Sequence, residues 1–241
     1  MPGRLAYFSF LLETFYDETP FALQYEDENI LLNQSQKILI GDEKTLSALS
    51  RMTLLNGIAA IIIGSTHAGS MGEHLISHYI DMFMGDEHPG SLHGEQVGIA
   101  TLLLSKMQND ILNNSKTPQF LEINFDLIFF ENIFGKDAGP NLHKQFQNKL
   151  FTKKSLTDIN NKLINNWSDY KKTIIKFAVQ TDKIKKAFIN CGAACTNGDL
   201  NIPDDFFQNA VENAYYLRDR FSYLDIMQYL GCIDKYSKNL I

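Results

Sequence analysis

An all-α fold, a bundle of many helices, is predicted by three observations on this 241-residue chain. Apolar residues recur at three- and four-residue intervals along almost every periodic stretch, the spacing of a buried helix face. No series of short β-branched runs suggests parallel strands. No glycine-rich turn links a strand to a helix; Gly64, Gly69 and Gly72 come closest, and they fit neither G-x-G-x-x-G nor a P-loop. A dinucleotide is therefore not expected to bind this chain through the familiar α/β fold.

The elements follow in order. Arg4 and the run Leu5 to Leu12 mimic the opening of a signal peptide, but Glu13 interrupts it and no small-residue cleavage site follows. A first helix in a cytoplasmic chain is the reading. Asp42 is placed to cap a helix from Glu43 to Ile63, which Gly64 would end. Ser70 is read as the cap of a second helix reaching Phe83 and stopped by Gly85. Ser91 is read as the cap of a third, from Leu92 to about Asn114. Pro118 and Pro140 mark breaks. Ile159, Leu163, Trp167, Tyr170, Ile174 and Phe177 form one stripe of a long helix. A last long helix opens after Pro203, with Asp204 and Asp205 at its positive end and Phe206, Phe207, Ala210, Val211, Ala214 and Tyr215 on its apolar face.

Composition bounds the partners. A net charge of −6 argues against general nucleic-acid binding. Lys144 to Lys186 holds eleven Lys and three Asp, read as solvated helix faces or, alternatively, as a surface for an anion. Cys191, Cys195 and Cys232 are too few and wrongly spaced for a disulfide framework or a usual zinc motif. The most apolar run, Leu54 to Ile63, contains Asn56 and Gly57 and falls short of a span, so no membrane crossing is expected.

Histidines concentrate the chemistry. Five of six lie between His67 and His93: His67, His74, His78, His88 and His93. His74 and His78 share one helix face, and Asp81 continues their stripe. A hairpin of two helices can bring His93, at the start of the next helix, opposite His74. The order Glu73-His74 rules against H-E-x-x-H, no His-Asp pair occurs, and no G-x-S-x-G occurs. The residues alone favour a divalent-metal site, with histidines satisfied by solvent or neighbours as the alternative.

The strings Leu54-Leu55-Asn56-Gly57-Ile58-Ala59, Gly64-Ser65-Thr66-His67-Ala68-Gly69-Ser70-Met71-Gly72-Glu73-His74-Leu75-Ile76-Ser77-His78-Tyr79-Ile80-Asp81 and His93-Gly94-Glu95-Gln96-Val97-Gly98 resemble the sn-glycerol-1-phosphate dehydrogenase family. So does Tyr216-Leu217-Arg218-Asp219-Arg220-Phe221-Ser222-Tyr223-Leu224-Asp225 near the end. That family belongs with the iron-containing alcohol dehydrogenases, and dehydroquinate synthase is a more distant relative. The resemblance implies one helical domain over 1–241, like the C-terminal metal-binding domain of those enzymes. It implies zinc or iron held by His74 and His93, and substrate contacted by His78. Ser65, Thr66, His67, Arg218 and Arg220 are candidate phosphate or substrate contacts; His67 is alternatively a polar loop residue, and the two arginines alternatively pair with Asp219 and Asp225. The implied reaction is the reversible reduction of dihydroxyacetone phosphate to sn-glycerol 1-phosphate, with the metal stabilising the alkoxide.

Two departures accompany the resemblance. The family's nicotinamide-binding half and its third metal ligand, an Asp, are expected to lie upstream of Met1 and to be absent. NAD(P) would then require a separate nucleotide-binding chain, and two histidines alone make a weak site, for which Asp81 or Glu73 is the less favoured substitute ligand. Thr66-His67 also stands where many relatives carry Arg-Pro, which leaves the exact substrate open. A homo-oligomer acting on a small phosphorylated substrate is the leading expectation. A non-catalytic helical domain with a role in assembly, or a dehydroquinate synthase-like lyase domain, are the alternatives.

Overall fold

The computed structural model describes residues 17–66, 69–176 and 178–238. Ten α-helices lie among the described residues, with short 3-10 turns and no strand. They are α1 (Thr19–Gln34), α2 (Glu43–Ile63), α3 (Gly72–Phe83), α4 (His93–Asn113), α5 (Leu127–Gln147), α6 (Lys153–Ile175), α7 (Thr181–Asn190), α8 (Asp204–Asn213), α9 (Tyr223–Tyr229) and α10 (Ile233–Lys238). The all-α prediction holds. The expected first helix over Leu5–Leu12, together with His67 and Phe177, lies outside the described residues.

α2 begins and ends as its sequence dictates. Asp42 accepts from the Thr45 amide at 3.0 Å and its hydroxyl at 2.7 Å, and Gly64 closes the helix at φ 68. Other boundaries differ from expectation. Ser70 does not cap α3, nor Ser91 α4; Met71 and Leu92 stand at the cap positions, and a glutamate in the first turn accepts the backbone amide of each. Glu73 accepts the Met71 amide at 3.0 Å, and Glu95 accepts the Leu92 amide at 2.8 Å. The C-terminal end of α3 is as expected: the helix stops at Phe83, and Gly85, just past the Met84 cap at φ 56, turns the chain out of it into a 3-10 turn, Gly85–Glu87. The break assigned to Pro140 falls at Gly135, whose φ of 76 an L side chain would resist; Pro140 sits in the second half of α5. The fold-back is tight enough that a Cβ on Gly139 would lie 2.9 Å from the Glu131 backbone nitrogen.

The main core forms where α3, α4, α8 and α9 meet. Ile76, Ile80, Ile99, Leu103 and Met107 are almost wholly buried between α3 and α4. Around Tyr216, the rings of Phe125, Phe129, Phe130 and Phe146 have centroids 5.4, 5.5, 5.0 and 5.1 Å away, a geometry that adds edge-to-face attraction to burial. A smaller cluster of Leu102, Ile184 and Cys195, flanked by Leu32, Val179 and Phe188, joins α1 to α4 and α7.

α2 packs along α1, held by a bidentate pair in which Arg51 donates to both oxygens of buried Asp27. Its other side is open: Leu54, Ile58, Ile61 and Ile62 are exposed. Measured over its full 21 residues, α2 is long and apolar enough by length and composition to cross a membrane, which the ten-residue run considered above is not.

A buried ion pair ties the C-terminal segment down. Lys149 Nζ lies 2.7 Å from Asp225 Oδ1, with both side chains at most 5% exposed, and Lys149 also donates to the Tyr215 carbonyl. Asp225 accepts in addition from the Ser222 amide and hydroxyl at 2.7 and 2.9 Å. Removing one member of such a pair strands the other charge without solvent. Lys149→Met is expected to lower unfolding free energy by about 3–5 kcal/mol in urea titrations. A change below about 1 kcal/mol would show that the pair contributes nothing net.

Candidate metal centre

α3 divides its surface cleanly. Leu75, Ile76, Tyr79 and Ile80 face the core, while His74, Ser77, His78 and Asp81 run along one edge at helical spacing. The loop before α4 delivers His93 to that edge, and Gln96 follows one turn later. Gly72 makes the register possible: a Cβ there would lie 2.7 Å from Leu104 of α4 and 3.4 Å from Ser222 at the start of α9. Three elements close on that one position. Gly98 serves a similar end, with Phe188 of α7 against it, whereas the space at Gly94 is open.

Three imidazoles converge as expected. Ring centroids are 5.1 Å apart for His74–His93, 5.3 Å for His78–His93 and 6.3 Å for His74–His78. His74 Nδ1 lies 3.1 Å from His93 Nε2. Two nitrogens bound tetrahedrally to one zinc ion at ordinary bond lengths would be about 3.3 Å apart, so this pair fits a shared metal with little movement. A direct ring-to-ring hydrogen bond has the same length. His78, Asp81 and His93 form a second convergent set, with donor atoms within 4.8 Å of one another.

The electrostatics suit ligation. Burial pushes the His74 pKa down to about 4, and the neighbouring His93 and His78 add to the effect. Burial, followed by His93 and Arg218, also lowers His78. A ring that stays uncharged near neutral pH keeps a lone pair for a cation. Glu73, considered above as a substitute ligand, is buried and its pKa is raised by desolvation. Its Oε1 is 4.0 Å from His74 Nε2 while accepting the Met71 amide. Asp81 is exposed at the edge, with Oδ1 3.3 Å from His88 Nε2 and Oδ2 3.6 Å from His93 Nδ1.

The arginines flank the histidines rather than forming the network considered for them. Asp225 belongs to Lys149, not to Arg218 or Arg220. Arg220 reaches across to the loop before α3, donating to the Ser70 carbonyl at 3.0 Å and the Thr66 hydroxyl at 2.7 Å. Arg218 is exposed and close enough to His78 to depress it. Thr66 is thereby brought to the site, and Ser65 is its half-buried neighbour. His143 stands apart, edge-on to Phe130 at 5.2 Å. Sequence reasoning passed over Ser77 and Gln96, both wholly buried at this edge. Their signal was a polar residue on the core side of a histidine stripe.

Comparison with known proteins gives a consistent result at partial coverage. No family model matches the chain. A protein of Pyrococcus furiosus is 32% identical over 91 residues, covering 38% of this chain and 25% of the relative. One of Halalkalibacterium halodurans is 24% identical over 195 residues, covering 80% of this chain and 40% of the relative. One of Haloquadratum walsbyi is 34% identical over 88 residues, covering 36% and 24%. Each is a glycerol-1-phosphate dehydrogenase [NAD(P)+]. This chain resembles their helical part. It spans at most two fifths of the length of these curated relatives.

The packing at Gly72 makes a direct check. Gly72→Val would drive methyl groups into Leu104 and Ser222, so a loss of about 1–3 kcal/mol is expected, read as a lower thermal midpoint. Unchanged stability would mean the first turn of α3 is free to shift.

Proposed function

We propose that this chain is the metal- and substrate-binding helical part of an oxidoreductase of the glycerol-1-phosphate dehydrogenase type, acting on a small phosphorylated alcohol or ketone. The observation that carries the reading is the 3.1 Å approach of His74 Nδ1 to His93 Nε2, on helices that the relatives' similarity covers. His74 and His93 would hold a zinc or iron ion. When bound, such an ion supplies Lewis-acid stabilisation of negative charge on a substrate oxygen.

The chain's own residues divide the remaining tasks. His78, next to both ligands and held neutral by burial, offers one ring nitrogen to a substrate hydroxyl. Arg218 provides a planar fork for a phosphate beside the histidines, and Arg220 holds Thr66 and Ser70 by hydrogen bonds while adding positive charge. The third metal ligand and the NAD(P) named for the relatives would come from a nucleotide-binding segment or partner chain outside these helices, and a homo-oligomer is part of the reading. The lyase and non-catalytic alternatives have no separate observation in their favour.

Metal binding by the purified chain tests this. Zinc should bind more tightly than about 1 µM by chelator competition, and the His74→Ala, His93→Ala double variant should lose at least a hundredfold. Absence of binding at millimolar zinc overturns the reading. With metal present, glycerol phosphate should perturb the histidine resonances, and Arg218→Ala should weaken that effect about tenfold or more. Equal effects of glycerol and glycerol phosphate would remove Arg218 from the phosphate role.

A further inference from the structure

We infer that a hydrogen-bond relay through His88, Asp81, Gln96 and Ser77 fixes the His93 proton on Nδ1 and turns the Nε2 lone pair towards His74. The groups that can only donate or only accept set the direction of the links between them. The Gly90 amide, which can only donate, lies 3.1 Å from His88 Nδ1. The His88 proton therefore sits on Nε2, 3.3 Å from Asp81 Oδ1. A carboxylate only accepts, so the Gln96 nitrogen, 3.1 Å from that same oxygen, is the donor. The Ser91 carbonyl, which also only accepts, lies 3.4 Å from the same nitrogen, so a flipped Gln96 would press its own carbonyl against two acceptors; the Gln96 nitrogen and His88 Nε2, 3.0 Å apart, both aim their hydrogens at the one Asp81 oxygen.

The Gln96 oxygen is left for Ser77, which donates its hydroxyl proton at 2.5 Å. Ser77 then has only lone pairs to offer His93 Nδ1, 2.7 Å away, and that nitrogen must carry the hydrogen. Asp81 Oδ2, 3.6 Å from the same nitrogen, adds its charge to the preference. Ser77 and Gln96 have no exposed surface, so neither can satisfy itself with solvent instead.

The consequence concerns the metal. A protonated Nδ1 cannot ligate, so His93 does not join His78 and Asp81 through that atom, and Asp81 is a positioning residue instead of the missing ligand. His93 Nε2 is presented where His74 Nδ1 already stands. This significance rests on the proposed metal site; the tautomer itself does not.

Long-range proton–nitrogen correlation spectra of the full, metal-free, 15N-labelled chain at about pH 8, where imidazoles are neutral, read the tautomer directly. His93 is expected to show the Nδ1–H pattern. Ser77→Ala removes the acceptor, and Gln96→Leu frees the Ser77 hydroxyl to donate to His93. Both should move His93 towards Nε2–H and weaken zinc binding about 10–100-fold. His143, far from the relay, should be unchanged in both and reports that the fold is kept. A wild-type His93 protonated on Nε2 overturns the inference, even if the variants fail to fold. Folded variants that keep Nδ1–H overturn it too. A chain that shows Nδ1–H but binds no zinc upholds the relay and overturns the metal reading.

Discussion

The seam between α3 and α4 governs the geometry of the molecule. Ile76 and Ile80 on one helix meet Ile99, Leu103 and Met107 on the other, and each is almost wholly removed from water. Burying side chains of this size stabilises by about 1.5–3 kcal/mol apiece, far more than the polar contacts beside them contribute. Apolar packing therefore sets the rotation of both helices. Once that rotation is set, the edge bearing His74, His78 and Asp81 has no choice but to face His93 and Gln96. The polar cluster inherits its precision from the greasy contact beneath it.

The C-terminal segment acts on the site from below. The 3-10 turn after α8 carries Tyr215 and Tyr216 into the aromatic core, and α3 packs against that turn. Lys149 then binds both the Tyr215 carbonyl and Asp225, so one buried cation holds the two ends of the stretch that contains Arg218 and Arg220. Arg218 can be exposed and still well placed, since its backbone is clamped on either side. Arg220 extends the clamp to Ser70, at the threshold of the helix that bears the histidines.

Much of this was legible in the sequence. Asp42 and Gly64 announced α2 to the residue, and the four-residue spacing of His74 and His78 announced a shared face. The caps of α3 and α4 were misplaced because a glutamate in the first turn can accept the amide of the residue that precedes the helix, which fixes the helix start at Met71 and Leu92 without a serine, and spacing does not say which arrangement wins. Gly135 outdid Pro140 because a positive φ depends on the path of the chain, which periodicity does not record. Lys149 lay hidden in a lysine-rich stretch that reads as solvated, since its partner stands far along the chain. Ser77 and Gln96 were overlooked for a related reason: a polar residue on a helix is assumed to face water until a neighbour is known to cover it.

The hairpin of α1 and α2 stands in a different relation to the rest. Few of its side chains are buried (Pro20 and Asp27 on α1; Thr45, Ala48 and Ala59 on α2), and the Leu32 cluster is its apolar anchor to α4 and α7. Local cooperativity follows the density of such contacts. The hairpin can therefore swing away or melt while the seam of α3 and α4 stays shut. Amide exchange in α1 and α2 would run ahead of that in the central helices, and the molecule would breathe at one end while its histidines kept still.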